Sequence, residues 1–201
     1  PAIGEVFSHF AYGGVLNHYR DSSSQRDIPI REFFNLRPLN IIKFPVSKYE
    51  SIYRPKRLQS KTPYQVYSAL FAFEFVKYLS SLIERVKGNE SYRIGLIVPY
   101  RAQSDLIDKL MASAVLPNNI QVQVGTIHGF QGDECDIIIA LFNPPPSITS
   151  SKEMFLNKLN IVNVSISRAR DYLFILMPAD DTENVDKLKL IKKVENLCKH
   201  Q

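Results

Sequence analysis

The sequence predicts an α/β fold: a largely parallel sheet held between two helical layers. Three observations carry that prediction. Strand-like apolar runs alternate with helical patterns along the chain, the mark of a sheet built from crossover units. The runs at 93–98 (RIGLIV), 136–142 (DIIIALF) and 172–177 (YLFILM) are continuous rather than alternating, as strands covered on both faces require. Between them lie helical periods with clear stops, so each strand has its own return path.

The elements follow in order. Residues 1–19 carry helical spacing at Ile3, Val6, Phe7 and Phe10, and Gly13-Gly14 ends the stretch. Residues 21–27 (DSSSQRD) read as a polar loop. Residues 39–45 (LNIIKFP) are β-branched and apolar, a short strand that Pro45 closes. Residues 47–61 are irregular and basic, a solvated loop. A long helix is expected from Thr62, as cap, with Pro63 in its first turn, to about Lys87, where Gly88-Asn89 stops it. Its apolar positions Val66, Leu70, Phe73, Val76, Leu79 and Ile83 keep the helical period. A strand at 93–98 leads to a helix at 102–116 that turns Leu106, Ile107 and Leu110 inward. Strands at 121–125 and 136–142 precede a turn-rich loop at 143–152. Residues 156–167 are helical in part, Pro178 ends the strand at 172–177, and 184–198 is an amphipathic, lysine-rich helix. No internal repeat or second domain is visible. The expected division of 1–201 is an opening helix and loop (1–38), a core of sheet and helices (39–178) and a terminal helix (179–201).

Composition excludes several classes. The chain has 201 residues, 45% hydrophobic and 22% charged, which excludes disorder throughout. Two cysteines, Cys135 and Cys198, exclude a disulfide scaffold and a cysteine-rich zinc module, and both can stay reduced inside a cell. No apolar run approaches the roughly 18 residues of a membrane helix, and the best, 69–76, carries Glu74. No signal peptide opens the chain, and no membrane partner is expected. The chain begins at Pro1 rather than Met, so a fragment or a processed product is expected. A net charge of +5 permits contact with a polyanion without demanding it.

Ligands of parallel sheets bind beyond the carboxyl ends of the strands, which directs attention to three polar segments. They are 99–103 (PYRAQ), 125–134 (GTIHGFQGDE) and 165–170 (SISRAR), each where a strand meets a helix or loop, and one sheet edge is able to hold all three. In the second, three glycines let backbone N–H groups approach a ligand closely. Glu134 is suited to a ribose hydroxyl, Gln131 to a phosphate or a ribose, and Thr126 and His128 to nucleic-acid phosphates. The alternative is a plain βα turn whose glycines serve geometry alone. Arg168 and Arg170 lie two apart, so on a helix they do not share a face, and one at most aims at a given ligand. A guanidinium beside a transferring phosphoryl group stabilises the charge of its transition state. The alternative is a pair of surface arginines, and Arg101 and Gln103 have the same two readings. Tyr100 suits either a half-buried core edge or a base-stacking platform. There is no G-x-x-x-x-G-K-[ST], no G-x-G-x-x-G, no G-x-S-x-G and no H-E-x-x-H. His9, His18, His128 and His200 have no metal-ligand spacing with the cysteines. The chain thus carries partial phosphate chemistry and no complete site of its own.

Taken together, RIGLIVPYRAQ, VQVGTIHGFQGDECDIIIA and LNIVNVSISRARDYLFILM resemble three consecutive blocks of superfamily 1 helicases. They look like the region after motif IV, then motif V, then motif VI. The similarity is greatest to the Upf/Dna/Nam-type branch, whose second RecA-like domain carries PY-x-x-Q, F-Q-G-x-E-x-D and N-V-x-[ST]-R-A-R patterns. It covers about residues 1–178. The segments at 1–4 and 11–16 resemble the stretch just after motif IV, so the motif IV arginine is expected immediately before Pro1. The resemblance implies a three-layer RecA-like domain of the P-loop NTPase type, acting as the C-terminal half of an ATP-dependent DNA or RNA helicase or translocase. It implies nucleotide contacts at Gln131, Gly132, Glu134 and Arg168, with Glu134 near the ribose and Arg168 at the γ-phosphate. Arg170 is a weaker second match to the catalytic arginine. Pro99, Tyr100, Thr126 and His128 match positions near the nucleic-acid backbone, and Arg101 and Gln103 are supporting. Ser167 stands where Thr is frequent, and His128 where some relatives have an acidic residue.

The cofactors implied are ATP and Mg²⁺ in the parent protein, with none bound by this chain alone. The P-loop and the Mg²⁺-binding acidic motif would belong to a preceding RecA-like domain. The partners implied are that domain and single-stranded DNA or RNA, and the location is intracellular: cytoplasmic, nucleoid or nuclear. Two rivals stand beside this reading. One is a helicase-like, nucleic-acid-dependent ATPase acting as a switch or scaffold without unwinding. The other is an unrelated α/β binding module.

Overall fold

The structure, a computed structural model, describes residues 2–17, 20, 22–26, 37–44, 56–57, 62–87, 89–130, 133–142, 155–179 and 188–199. Helix α1 (Ala2–Tyr12) opens the chain, and Gly13 and Gly14 end it with φ of 64° and 85°, the left-handed turn that glycine permits. Then come β1 (Leu39–Phe44), β2 (Lys56–Arg57), β3 (Pro63–Tyr64) and α2 (Val66–Lys87). They are followed by β4 (Tyr92–Val98), α3 (Arg101–Ala112), β5 (Ile120–Thr126) and a 3₁₀ turn at Ile127–Phe130. The chain continues through β6 (Cys135–Leu141), α4 (Leu159–Ser167), β7 (Ala169–Pro178) and α5 (Lys189–Lys199).

Five strands form one sheet in the order β1-β7-β6-β4-β5, and every neighbouring pair is parallel. The expected α/β class with a parallel sheet between helices is therefore what forms. The continuous apolar strands are explained by two cores, one on each face. Ile138 and Ala140 of β6, with Leu173, Ile175 and Met177 of β7, point into a core shared with α1, α4 and α5. Ile137, Ile139 and Leu141, with Tyr172, Phe174 and Leu176, point into a core shared with α2 and α3. Side chains alternate with period two, but both faces are dry, so the apolar run has no gaps.

The connections explain the two layers. From β1 to β4 and from β4 to β5 the chain moves one way along the sheet, with α2 and α3 on one face. From β5 to β6 and from β6 to β7 it moves back, with the 3₁₀ turn and α4 on the other. Reversing both direction and face keeps a single hand of crossover, as parallel sheets demand.

The β5–β6 connection is unusually direct. Ile94 lies level with Val122 on one side and Ile137 on the other. The chain must therefore fall about six strand positions and cross two strands, roughly 22 Å at ordinary strand spacings. Only residues 127–134 are available, and Ile127 and Phe130 of this stretch are buried in the core. Phe130, fully buried, seats its ring on two glycines. A Cβ at Gly95 would meet the Phe130 Cε1 at 2.8 Å, and one at Gly125 would meet the Phe130 Cε2 at 2.9 Å.

Several boundaries differ from expectation. Helix α2 starts at Val66, not Thr62, because Pro63 and Tyr64 pair antiparallel with Arg57 and Lys56. That short ladder also replaces part of the irregular stretch expected at 47–61. Helix α3 stops at Ala112 rather than 116: the Ser113 and Ala114 N–H groups turn back to the Leu110 and Met111 carbonyls, and Val115 is exposed. Strand β7 begins at Ala169, three residues early, so Arg170 lies on a strand. Segment 143–152, Gly88 and the start of the lysine-rich helix at 184–187 lie outside the described residues. Finally, Val66–Val86 is long and apolar enough to cross a membrane by length and composition, contrary to the expectation that no run approaches that length. Its apolar face, with Ala69, Ala72, Val76 and Ile83 fully buried, packs in the core of the α/β unit, which accounts for its composition.

Candidate functional site

An all-parallel sheet collects its strand ends into two opposite edges. The residues singled out by the sequence divide between them. Pro99 and Tyr100 follow β4, Thr126 ends β5 and His128 lies in the next turn, all at the carboxyl edge. Glu134 directly precedes β6, Arg168 directly precedes β7 and Arg170 is its second residue, all at the amino edge. The three polar segments therefore do not share one edge. The physical reason is the short crossover: 127–134 has to carry the chain from the end of one parallel strand to the start of another. Gln131 and Gly132 lie outside the described residues.

At the amino edge, Glu134 and Arg168 are neighbours through the backbone. The Cys135 N–H donates to the Arg168 carbonyl at 3.0 Å, and Cys135 sits opposite Ala169. Arg168 caps α4 in the helical region, φ −84° and ψ −13°, rather than lying within it. The two arginines therefore do not sit on one helix, the placement on which the spacing expectation rested: Arg168 is a cap and Arg170 a strand residue. Arg168 is half-buried, and its Nη2 donates to the Ser167 hydroxyl at 3.2 Å. Its Nε is buried and has no hydrogen-bond partner among the described residues. A buried guanidinium N–H left unmatched is uncommon in a folded protein and calls for a functional explanation. Arg170 is exposed, with Nη1 3.9 Å from Asp136.

Two carboxylates to which the sequence alone assigns no role organise this edge: Asp136, the last residue of the F-Q-G-x-E-x-D pattern, and Asp171. Asp136, 6% exposed, accepts the Arg93 N–H at 2.9 Å and lies 3.6 Å from Arg26. Asp171, 1% exposed, accepts from Arg20 at 2.6 Å and from the Arg26 N–H at 3.2 Å. Each follows a motif residue by two or three positions, and buried charge of this sort needs a partner. Their arginines come from the 20–26 loop, too far away in sequence for spacing to reveal. Tyr92 closes the cluster: its hydroxyl donates to Glu90 at 3.1 Å, and the Arg26 guanidinium stacks 5.2 Å from its ring. Burial, then the Glu90 hydrogen bond, pushes the Tyr92 phenol well above its usual range, and burial also pushes the Cys135 thiol up. A cavity of about 360 Å³ opens beside the cluster, walled by Arg20, Glu134, Ser167, Arg170 and Asp171, with Phe7 on its apolar side.

At the carboxyl edge, Pro99 is buried, which leaves Tyr100 as the half-exposed member of the pair. Thr126 is half-buried and His128 exposed, beside a cavity of about 320 Å³ formed with Asn160, Ile161 and Val164 of α4. Arg101 is exposed and pairs with Asp105 at 2.9 Å. Gln103 is buried and structural. Its Oε1 accepts the Gln65 N–H at 2.7 Å, and its Nε2 donates to the Gln65 carbonyl and the Ser68 hydroxyl, each at 3.2 Å. It satisfies the backbone at the start of α2, a place the sequence assigned to Thr62. A larger cavity, about 660 Å³, lies along the outer edge of β1 between α2 and α5 and contains none of the residues singled out.

No group of three or more His, Cys, Asp or Glu that could hold a metal forms among the described residues. Asp136 and Asp171 are already committed to arginines and backbone N–H groups, so these two carboxylates do not suit Mg²⁺.

Comparison with known proteins gives a consistent result. A protein-family profile described as "AAA domain" matches residues 1–180. The chain is 31% identical over 110 residues to a helicase required for RNAi-mediated heterochromatin assembly from Schizosaccharomyces pombe, covering 55% of this chain and 10% of that protein. It is 31% identical over 127 residues to an uncharacterized ATP-dependent helicase of Methanocaldococcus jannaschii, covering 60% and 18%. It is 32% identical over 114 residues to the helicase sen1 of Schizosaccharomyces pombe, covering 53% and 6%. The matched region is thus less than a fifth of any of these relatives. With a RecA-like parallel sheet in place and the profile matched along residues 1–180, the chain belongs to the AAA domain family, within the superfamily 1 helicases of the Upf/Sen type.

Proposed function

We propose that this chain is the second, C-terminal RecA-like domain of an ATP-dependent superfamily 1 helicase or translocase. In that role it completes an ATP site held mainly by a preceding RecA-like domain of the same parent. The observation that supports the reading is the hydrogen bond from the Cys135 N–H to the Arg168 carbonyl, which sets Glu134 and Arg168 side by side at the starts of β6 and β7, with the Arg168 Nε buried and unmatched among the described residues. Arg168 presents positive charge to the γ-phosphate, and Glu134 accepts from the ribose. A guanidinium so placed stabilises charge that develops on the transferring phosphoryl group. ATP with Mg²⁺ is the cofactor of the parent, the metal and the phosphates being held by the other domain. This chain alone is inactive in this scheme. The working location is intracellular.

The carboxyl edge, by the same reading, grips a single strand of DNA or RNA. Tyr100, Thr126 and His128 supply a ring, a hydroxyl and an imidazole on adjoining strand ends, groups that suit phosphate and base. The two functions lie at opposite ends of strands about seven residues long, so movement of the domain on ATP closure is transmitted by a stiff sheet. Closure follows from tighter binding of ATP to the closed state. A second reading, a nucleic-acid-dependent ATPase that switches without unwinding, uses the same residues and differs only in strand separation.

The test is ATPase turnover of the full parent with and without single-stranded DNA or RNA, beside Arg168→Ala. Strand-stimulated turnover that drops by about 10³-fold in the mutant is expected for a lost arginine at a phosphoryl group. Turnover unaffected by both strand and mutation sinks the proposal.

A further inference from the structure

The start of β7 contains an irregularity that the fold does not need. Cys135 pairs with Ala169, but Ile137 pairs with Tyr172. One residue of β6, Asp136, therefore faces two of β7, Arg170 and Asp171: a β-bulge. A bulge frees a backbone carbonyl, bends its strand and re-aims the side chains beside it. It lies two residues after Arg168.

Arg20 occupies this bulge. Its Nη1 donates to the Arg170 carbonyl, and its Nη2 donates to the Asp171 carboxylate at 2.6 Å and to the Ser24 carbonyl at 2.8 Å. Its Nε donates to the Ser24 hydroxyl at 3.1 Å. The neighbouring Gln25 side chain donates to the Asp171 carbonyl at 3.1 Å, and the Arg26 N–H donates to its carboxylate at 3.2 Å. All three nitrogens of the guanidinium are engaged, so the group serves the bulge rather than a nucleotide. Only its planar fork matches a carbonyl and a carboxylate together, which Lys cannot do. Both residues wall the same cavity as Glu134 and Ser167.

We propose that Arg20 and Asp171 are positioning residues: by clamping the bulge they hold the turn that carries Arg168 in the orientation it needs at the phosphoryl group. This rests on the assignment of Arg168 to the γ-phosphate. The clamp acts on geometry, not on binding, so its loss lowers kcat and spares KM.

The experiment measures kcat and KM for ATP of the full parent with a saturating single-stranded oligonucleotide, for wild type, Arg20→Lys, Asp171→Asn, the double variant and Arg168→Ala. Arg20→Lys keeps a positive charge beside Asp171, so the fold survives; its melting temperature is recorded alongside. Misplacing a catalytic group by a fraction of an ångström is expected to lower kcat roughly tenfold in each clamp variant, with KM and oligonucleotide affinity within about twofold. The double variant is expected to be no worse than the poorer single, because the two residues act as one unit. A wild-type kcat in folded Arg20→Lys overturns the proposal, as does a loss confined to KM or strand affinity. Those outcomes leave the domain reading intact so long as Arg168→Ala collapses turnover. If Arg168→Ala keeps full turnover, both fall.

Discussion

Replacing Gly95 by alanine tests how the short β5–β6 crossover is held. An alanine Cβ there would stand 2.6 Å from the Ile138 Cδ1, 2.8 Å from the Phe130 Cε1 and 3.0 Å from the Cys135 Sγ. All three distances are well inside van der Waals contact. The Ile138 tip can turn away at a rotamer cost of about 0.5–1.5 kcal/mol. The Phe130 ring cannot retreat along the sheet, because its other edge already lies on Gly125, where a Cβ would be only 2.9 Å away. Overpacking of this kind costs about 1–3 kcal/mol, and the ring's confinement places Gly95→Ala in the upper half of that range. With a urea slope of about 2 kcal/mol/M, the unfolding midpoint should fall by about 1 M. Equilibrium unfolding of the 201-residue chain in urea, followed by circular dichroism, measures it. Shrinking the ring should relieve the clash, so Gly95→Ala with Phe130→Leu should lose less than the sum of the two single losses by about 1 kcal/mol or more. The reasoning is refuted if Gly95→Ala lies within about 0.5 kcal/mol of wild type, or if the two losses simply add.

Two further outcomes are expected. Gln103→Ala leaves the buried Gln65 N–H without its acceptor and should cost about 1–3 kcal/mol in the same urea assay, although Gln103 contacts neither proposed ligand; a neutral result would mean that another group takes over the start of α2. Burial pushes the Cys198 thiol up from 9.0 to about 11, so the folded chain keeps its proton where the unfolded chain loses it. The unfolded state then binds fewer protons, and this group's contribution to stability should fall as pH rises from about 9 to about 11. Comparing wild type with Cys198→Ala across that window checks the sign: a flatter pH dependence in the variant is expected, and an identical one refutes it.

The sequence by itself was enough for the class of the fold and the family. Continuous apolar runs such as 137–142 are legible because a strand dry on both faces favours apolar residues at every position. The motif-like segments are legible because close packing and strand pairing restrict residue types locally, as at Gly125 beneath the Phe130 ring and at Arg168 beside Cys135. Helix ends were less legible. Thr62-Pro63 has the local chemistry of a helix start, yet pairing with Lys56–Arg57 draws Pro63-Tyr64 into a strand, and a buried amide from 38 residues away satisfies the backbone at Gln65. Local propensity cannot anticipate a partner that only folding supplies.

The layout of the site was decided by tertiary structure alone. Nothing in the order of residues says that Glu134 and Arg168 meet at one edge of the sheet while Thr126 and Tyr100 stand at the other. Strand order and a crossover of eight residues set that division, and both are properties of the whole sheet. In the sequence Asp171 looks like an ordinary charge at a strand start, and Asp136 is the last residue of a motif pattern with no partner in view. They become buried anchors only because Arg20 and Arg26 fold across the amino edge, 145 to 151 residues away along the chain from Asp171. Charge pairing at that separation depends on burial and distance, quantities that exist only once the chain has folded.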